Sequence, residues 1–367
     1  MVNISFLMPP IRGGGPRNVY TISRMLNERG ISSSILSPYD ANDYIKNSYA
    51  PNLLLPSRKI YSIINKKTSR FDRLSHLNFP LFGIKNLVFD PLTLRNIGNI
   101  DLYVATAWQT VYSSRMISKY NKKPLIYFIQ AYESEFGNNR VYYKLADKTY
   151  SMNIPMFTQS KWLKNFIETK FSSNVYWIGL GINHRAFKDE SANKKKQIFT
   201  IARPERDKGF DVFVKAINLL WRERNDFKVV IAGSRNALSG KDINFKYEFL
   251  DWIKDDHELA KLYSESIFVN TGKKEAIPMP PVEAMASGST VVISNIEGAR
   301  EYAINNHNCL VCDPENPNSF SIAISELLDN GDLREKLSKN GIVTSKQYNW
   351  DDVLNRFMAF VKDNVVW

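Results

Sequence analysis

The feature that most constrains this chain is the alternation of short apolar runs with helical periodicity in its second half. Phe199-Thr-Ile-Ala202 and Lys228-Val-Val-Ile-Ala232 read as buried strands, the second closing on Gly233-Ser234. Between them Phe210–Arg222 repeats its apolar residues at helical spacing, and Ser266–Asn270 and Ser289–Ile293 continue the strand series. Strands separated by helices pair in parallel, and the ligands of such sheets bind beyond the carboxyl ends of the strands. The expected fold class is α/β, and the place to look for chemistry is the loop after each strand.

The first such loop is Arg203-Pro-Glu-Arg-Asp-Lys208-Gly209. A forked guanidinium and a point ammonium at one strand end suit two phosphate groups, although two cations in a charged loop are more often simply solvated. The second, between the last two strands, is Glu275-Ala-Ile-Pro-Met-Pro-Pro-Val-Glu283-Ala-Met-Ala-Ser-Gly288. Proline fits a helix's first turn, where a missing N–H has no intrahelical partner to lose, and glycine stops a helix. This spacing predicts a short helix from about Pro281 to Ser287, with Glu275 in the loop before it and Glu283 in its first turn. The free amides there form an anion site, and a carboxylate beside it could read the hydroxyls of a ligand whose phosphates sit on the amides. A nucleotide sugar has that distribution. The plainer alternative is that Glu283 complements the helix dipole and Glu275 is solvated.

The first half shows similar strand ends. Val2–Met8 reads as a first strand rather than a leader, followed by Gly13-Gly14-Gly15-Pro16 and a helix carrying Val19, Ile22 and Leu26, with Pro16 at its first position. The glycines allow close backbone approach, and Arg12 and Arg17 flank them. Asp101–Thr110 and Tyr127–Glu133 read as strands ending in polar or aromatic residues. Trp108 could stack on a sugar ring or be a buried aromatic, and Gln130 could orient a sugar hydroxyl.

These landmarks occur in the order seen in the family-4 glycosyltransferases. Ile201-Ala-Arg203-x4-Lys208-Gly209, Ile231-Ala-Gly233, Phe249-Leu-Asp-Trp-Ile253, Glu258-Leu-Ala-x-Leu-Tyr263, Glu275-x7-Glu283-Ala-Met-Ala-x-Gly288 and Val291-Val292 resemble that family over roughly a hundred residues. The resemblance implies a GT-B architecture, two Rossmann-like domains facing across a cleft. It implies retaining transfer from a nucleotide-diphosphate sugar to a glycan or lipid-linked acceptor, with no cofactor and no obligatory metal. Carried over residue by residue, Arg203 and Lys208 face the diphosphate, Glu275 the donor sugar and Glu283 the ribose. Gly13, Gly14, Gly15, Gly233, Ile253, Ile277 and Met279 border the donor, while Arg17, Trp108 and Gln130 contact acceptor or sugar.

Two departures stand out. Gln130 replaces a histidine common in the family and cannot titrate like one. Pro278, Pro280 and Pro281 remove amides that the family uses for the distal phosphate. Both features resemble a rhamnosyltransferase-like subgroup of polysaccharide assembly, and a 6-deoxy sugar would suit the apolar Ile277 and Met279.

At 367 residues the chain is long for one core and comfortable for two domains. The resemblance divides it into an acceptor-side domain over 1–180, a donor domain over 181–347 and a helix over 348–367 crossing back to the first. That helix starts at an Asn349 or Asp351 cap, and the linker lies in Ile178–Ser191. Cys309 and Cys312, with His307 nearby, fall short of a four-ligand zinc site, and two cysteines support no disulfide framework. The expected location is cytoplasmic, with peripheral attachment to the membrane.

Charge is uneven. Residues 1–180 hold 23 Lys+Arg against 10 Asp+Glu, a net +13, while 181–367 have a net −1. The acceptor, or the surface carrying it, is therefore expected to be anionic: a membrane leaflet, a glycan or a nucleic acid. Ser57–Arg73 mixes cations with Ile60, Tyr61, Ile63, Ile64 and Phe71, as a membrane-docking segment or a surface helix would. Nucleic acid is disfavoured because no aromatic-basic stacking motif is present. An inactive nucleotide-sugar-binding scaffold remains the other reading.

Overall fold

The computed structural model describes residues 2–8, 14–36, 53–54, 100–136, 140–189, 194–253 and 255–365. The segment 57–73, Arg12 and Gly13 lie outside them. Packing divides the chain into two units, one comprising Met1–Gln159, Leu163–Ile178 and Leu354–Trp367, the other Ser160–Trp162 and Gly179–Val353.

The first unit is built on a seven-stranded sheet. Its elements are β1 (Asn3–Leu7), α1 (Gly14–Glu28), β2 (Ser32–Leu36), β3 (Leu53–Leu54), β4 (Leu102–Ala105), α2 (Trp108–Asn121), β5 (Leu125–Ile129), α3 (Arg140–Thr149), β6 (Met156–Thr158), α4 (Lys161–Phe171) and β7 (Val175–Trp177). All pairings are parallel in the order β3-β2-β1-β4-β5-β6-β7, with Leu7 opposite Leu36 on one side and Ala105 on the other. Strand order reverses between β1 and β4, so their loops diverge and open a crevice at their carboxyl ends.

Several boundaries differ from the sequence expectation. β4 stops at Ala105 and Trp108 opens a helix, because the Thr110 hydroxyl accepts the N–H groups of Thr106 and Ala107 at 3.0 and 3.1 Å and so draws the chain into a turn. β5 stops at Ile129, and Glu133 falls in a single 3-10 turn, Glu133–Phe136. α1 begins at Gly14, placing Pro16 third rather than first, still within the turn that lacks N–H partners.

The second unit carries a six-stranded parallel sheet of order β10-β9-β8-β11-β12-β13. In chain order its elements are β8 (Gln197–Ala202), α5 (Phe210–Glu223), β9 (Lys228–Gly233), β10 (Glu248–Leu250), α6 (Asp256–Glu265), β11 (Ile267–Asn270), α7 (Met279–Ala286), β12 (Thr290–Ser294), β13 (Leu310–Cys312), α8 (Pro317–Asp329) and α9 (Gly331–Ser345). Both faces are covered. Ile198, Ile231 and Val292 pack under α5 and α8, while the neighbours Phe199, Val230 and Val291 join Tyr263 of α6 and Met285 of α7. This two-sided burial explains why the strands read as continuous apolar runs. Cys309 and Cys312 are buried here, their thiols pushed up to about 12 and about 11 by burial.

The last helix, α10 (Trp350–Asn364), belongs to the first unit from Leu354 onward. Phe357 packs against Phe6 and Phe157 with ring centroids 6.2 and 5.3 Å away, and Phe360 lies 5.3 Å from both Phe157 and Tyr176. These side chains, at i and i+3, cover β1, β6 and β7 with one helical face. Truncating the fully buried Phe357 to Ala should destabilise the first unit by about 3–5 kcal/mol. Urea denaturation followed by fluorescence measures this, and a loss below about 1 kcal/mol would show that the helix does not complete that core.

Candidate functional site

Two loops of the second unit, following the adjacent strands β8 and β11, are joined backbone to backbone. After Arg203 the first makes one 3-10 turn, Arg206–Lys208, and ends at Gly209 with φ 65°. The Thr271 carbonyl occupies the space a Cβ on Gly209 would need, and the Thr271 hydroxyl donates to the Gly209 carbonyl at 2.8 Å. Only glycine meets both demands. Two residues further, the Lys273 N–H donates to the Asp207 carbonyl at 2.7 Å.

This join brings Lys208 and Glu275 together. The Lys208 ammonium donates to Glu275 Oε2 at 2.7 Å, with the side chains 27% and 14% exposed. Glycines shape the approach: a Cβ on Gly272 would lie 2.5 Å from Glu275 Oε1, and one on Gly298 would overlap the carbonyls of Glu275 and Ala276. The Tyr302 hydroxyl holds the next turn by donating to the Pro278 carbonyl at 2.8 Å.

α7 then starts at Met279, two residues earlier than the prolines suggested, with Pro278 as its N-cap. Pro280 and Pro281 are its second and third residues, both at positions that lack intrahelical N–H partners. Glu283 therefore stands in the second turn rather than the first, and is 3% exposed. Ile277 and Met279 are half-buried and pack on the core.

The neighbouring strand ends complete this edge. Gly233 ends β9 at φ 119°, where the Ala202 carbonyl leaves no room for a Cβ. Ser234 N–H donates to that same carbonyl at 3.0 Å, holding the loop after β9 against the end of β8. Beyond β10, Ile253 packs half-buried on the core, whereas Trp252 is 47% exposed with the Arg203 guanidinium 5.7 Å above its ring. Trp252 escaped the sequence reading, which singled out Ile253 in the same quoted stretch; an aromatic just past a strand end was the available signal. A cavity of about 340 Å³ adjoins Arg203, lined also by Arg206, Asp211, Asn236 and Lys241.

In the first unit, Gly15 and Gln130 meet at the ends of β1 and β5. A Cβ on Gly15 would come within 3.0 Å of Gln130 Oε1, and Gln130 Nε2 donates to the Thr106 carbonyl at 3.3 Å. Gly14 and Arg17 lie in the first turn of α1. Trp108 requires correction as a sugar platform: it is 1% exposed, with its ring against Tyr142 at 4.9 Å and Tyr112 at 6.1 Å. A stacking surface needs an open face, and packing against α2 and α3 has taken it.

Glu133 was missed as a buried acid. Its Oε2 accepts the Trp108 N–H at 2.6 Å and the Tyr127 hydroxyl at 3.1 Å, satisfying the start of α2 from 25 residues away. Its own N–H donates to the Tyr150 hydroxyl at 3.1 Å. Burial pushes its carboxyl up to about 7 against the pull of the two donors.

Comparison with known proteins places these residues in context. Residues 183–344 match the family model described as glycosyl transferases group 1, so every second-unit residue of the site falls inside that domain. An uncharacterised glycosyltransferase of Methanocaldococcus jannaschii is 27% identical over 199 residues, 52% of this chain and 54% of the relative. A Campylobacter jejuni relative, N,N'-diacetylbacillosaminyl-diphospho-undecaprenol alpha-1,3-N-acetylgalactosaminyltransferase, is 29% identical over 202 residues, 54% of this chain and 50% of the relative. The chain thus spans about half the length of these curated relatives. Anabaena HepE, solved with UDP and glucose, superimposes with a TM-score of 0.75 over 99% of this chain and 100% of its own, at 12% identity. The fold is GT-B.

Glu133 makes stability depend on pH. Its carboxyl holds a proton up to about pH 7 when folded and only to about 4.3 when unfolded, so the folded state binds more protons between those values and stability falls as pH rises. Up to about 3 kcal/mol should be lost between pH 5 and pH 8. Glu133→Gln should remove that part of the slope, as read from urea denaturation at several pH values; an unchanged slope would show that the carboxyl ionises normally.

Proposed function

We propose that this chain is a retaining glycosyltransferase that moves a sugar from a nucleotide-diphosphate donor to a glycan or lipid-linked acceptor in polysaccharide or glycoconjugate synthesis. The observation that carries this reading is the pairing of Lys208 with Glu275 at 2.7 Å where the loops after β8 and β11 meet, with Arg203 at the end of β8 and Glu283 in the following helix. The group 1 domain over the same residues supports it.

The chemistry follows from the charges. Breaking the bond between the anomeric carbon and the diphosphate oxygen builds negative charge on the leaving group, and Arg203 and Lys208 are fixed cations placed to stabilise it. The half-buried Glu275 takes hydroxyls of the donor sugar, and the buried Glu283 takes the ribose hydroxyls. The acceptor hydroxyl attacks from the face the phosphate leaves, and its proton passes to the departing phosphate oxygen. Retention results, no protein base is required, and no metal is assigned a role.

Trp252, open on one face and topped by Arg203, adds a flat surface to the donor end of this edge. Ile277 and Met279 pack partly buried against the core of this unit, so a 6-deoxyhexose donor rests on the proline pattern before Glu283 rather than on these two side chains. Acceptor recognition is assigned to the first unit, where Gly15 and Gln130 meet at the strand ends.

The same unit has a surface suited to an anionic bilayer, in keeping with a lipid-linked acceptor. The packed helices α2 and α3 carry Arg115, Lys119, Arg140, Lys144 and Lys148 against one acid, Asp147, which accepts the hydroxyls of Tyr132 and Ser134. Met116 and Tyr120, one turn apart, are 60% and 72% exposed, and Val141 and Tyr143 are exposed on α3. Apolar side chains among cations bind acidic lipid through both area and charge. Among the described residues no helix is long and apolar enough to cross a membrane.

Turnover with a panel of nucleotide sugars tests the central reading. Lys208→Ala should lower kcat by about a hundredfold or more, and Glu283→Ala should mainly weaken nucleotide binding in calorimetry; wild-type turnover in the lysine variant would refute its role. In flotation, the protein should rise with phosphatidylglycerol vesicles and not with neutral phosphatidylcholine, and Met116→Asp with Tyr120→Asp should abolish the difference. Equal behaviour with both vesicles would sink the membrane assignment.

A further inference from the structure

We propose that Glu275 is also a product-release residue: once the sugar has left, its carboxylate competes with the diphosphate for Lys208. The inference rests on the donor-site reading above and extends it to the order of events.

The observation is that Lys208, placed for the diphosphate, is already engaged. Its ammonium lies 2.7 Å from Glu275 Oε2. The backbone on both sides is held. Lys208 closes a 3-10 turn whose N–H donates to the Glu205 carbonyl, and the Gly209–Thr271 and Asp207–Lys273 bonds tie that turn to the loop bearing Glu275. Gly298 packs against the carbonyls of Glu275 and Ala276, where a side chain would not fit. Exchange between partners is therefore left to the two side chains, both flexible at their ends.

Each stage of the reaction then has its own pairing. With a nucleotide sugar bound, the sugar hydroxyls hold Glu275 and Lys208 is free for the phosphate. After transfer the hydroxyls depart with the acceptor, Glu275 loses its partner, and the carboxylate returns to the nearest cation. The diphosphate must now bind against a competitor attached to the same chain, and its apparent affinity falls in proportion to the fraction of molecules in which Lys208 is free. The donor meets the same competitor, but its sugar hydroxyls bond the displaced carboxylate and offset the penalty. The device favours donor over spent product with no movement of the backbone.

Calorimetry on the full chain with UDP, GDP and UDP-glucose tests this. Glu275→Gln preserves shape and removes the charge; it should bind whichever diphosphate the wild type binds about five-fold tighter or more, as expected if Lys208 is free in about one molecule in five. The same variant should bind the nucleotide sugar no tighter. In a Lys208→Met background the Glu275→Gln change should leave diphosphate affinity unaltered. Unchanged or weaker diphosphate binding in Glu275→Gln would overturn the competition. So would tightening that persists undiminished without Lys208, since it would reflect direct repulsion between carboxylate and phosphate. Failure of the wild type to bind either diphosphate would instead overturn the donor-site reading, and the inference with it.

Discussion

The site depends on one backbone contact, the seating of Gly209 against the carbonyl of Thr271. β8 and β11 are neighbours in a parallel sheet at the point where strand order reverses, so the loops leaving them diverge unless something ties them together. The left-handed turn at Gly209, the Thr271 hydroxyl and the bond from Lys273 to Asp207 supply that tie. Without it, Lys208 and Glu275 would be two solvated side chains on separate loops, and a surface ion pair between them would be worth little. With it, the main chain keeps the two side chains within reach of each other, and they meet at 2.7 Å.

The part of this that could be read from residues is the part governed by burial. Two-sided packing makes β8, β9, β11 and β12 continuous apolar runs, and parallel pairing then puts Arg203, Gly233 and Glu275 at one edge. What was misread is governed by local hydrogen bonding. Thr110 turns the chain at Thr106 and Ala107, so an apolar stretch running through Trp108 is half strand and half helix. The α7 prolines mark a helix start without saying which of the first positions each one takes, and that ambiguity moved Glu283 by a turn. Glu133 could not be found at all from spacing, since the amide it satisfies is 25 residues away on a different element.

Charge distribution was legible in amount and not in place. The net +13 of residues 1–180 pointed to an anionic acceptor surface, and Ser57–Arg73 was its expected seat; that stretch lies outside the described residues. The proposed second seat is on α2 and α3 in the described part of the unit, where the one acid of the two helices, Asp147, is occupied by hydroxyls. A helix reads as basic from its composition. That its apolar residues also face outward is visible only once its partners are known, because helical periodicity does not say which stripe is buried.

The prolines before Glu283 and the pair at Lys208 are two sides of one constraint. A helix start with free amides can hold a phosphate by itself, and a neighbouring lysine is then an addition. Here Pro278, Pro280 and Pro281 withdraw three of those donors, so a phosphate held at this site, as proposed, would draw its remaining charge stabilisation from side chains. Amides are fixed and always available, whereas a lysine can be occupied by a carboxylate. On the proposed reading, moving phosphate recognition from main chain to Lys208 makes the strength of binding depend on what Glu275 is doing, and Glu275 is the residue assigned to sense whether a sugar is present. A site richer in amides would hold donor and spent nucleotide alike; in the proposed site, loss of the sugar weakens the hold on what remains.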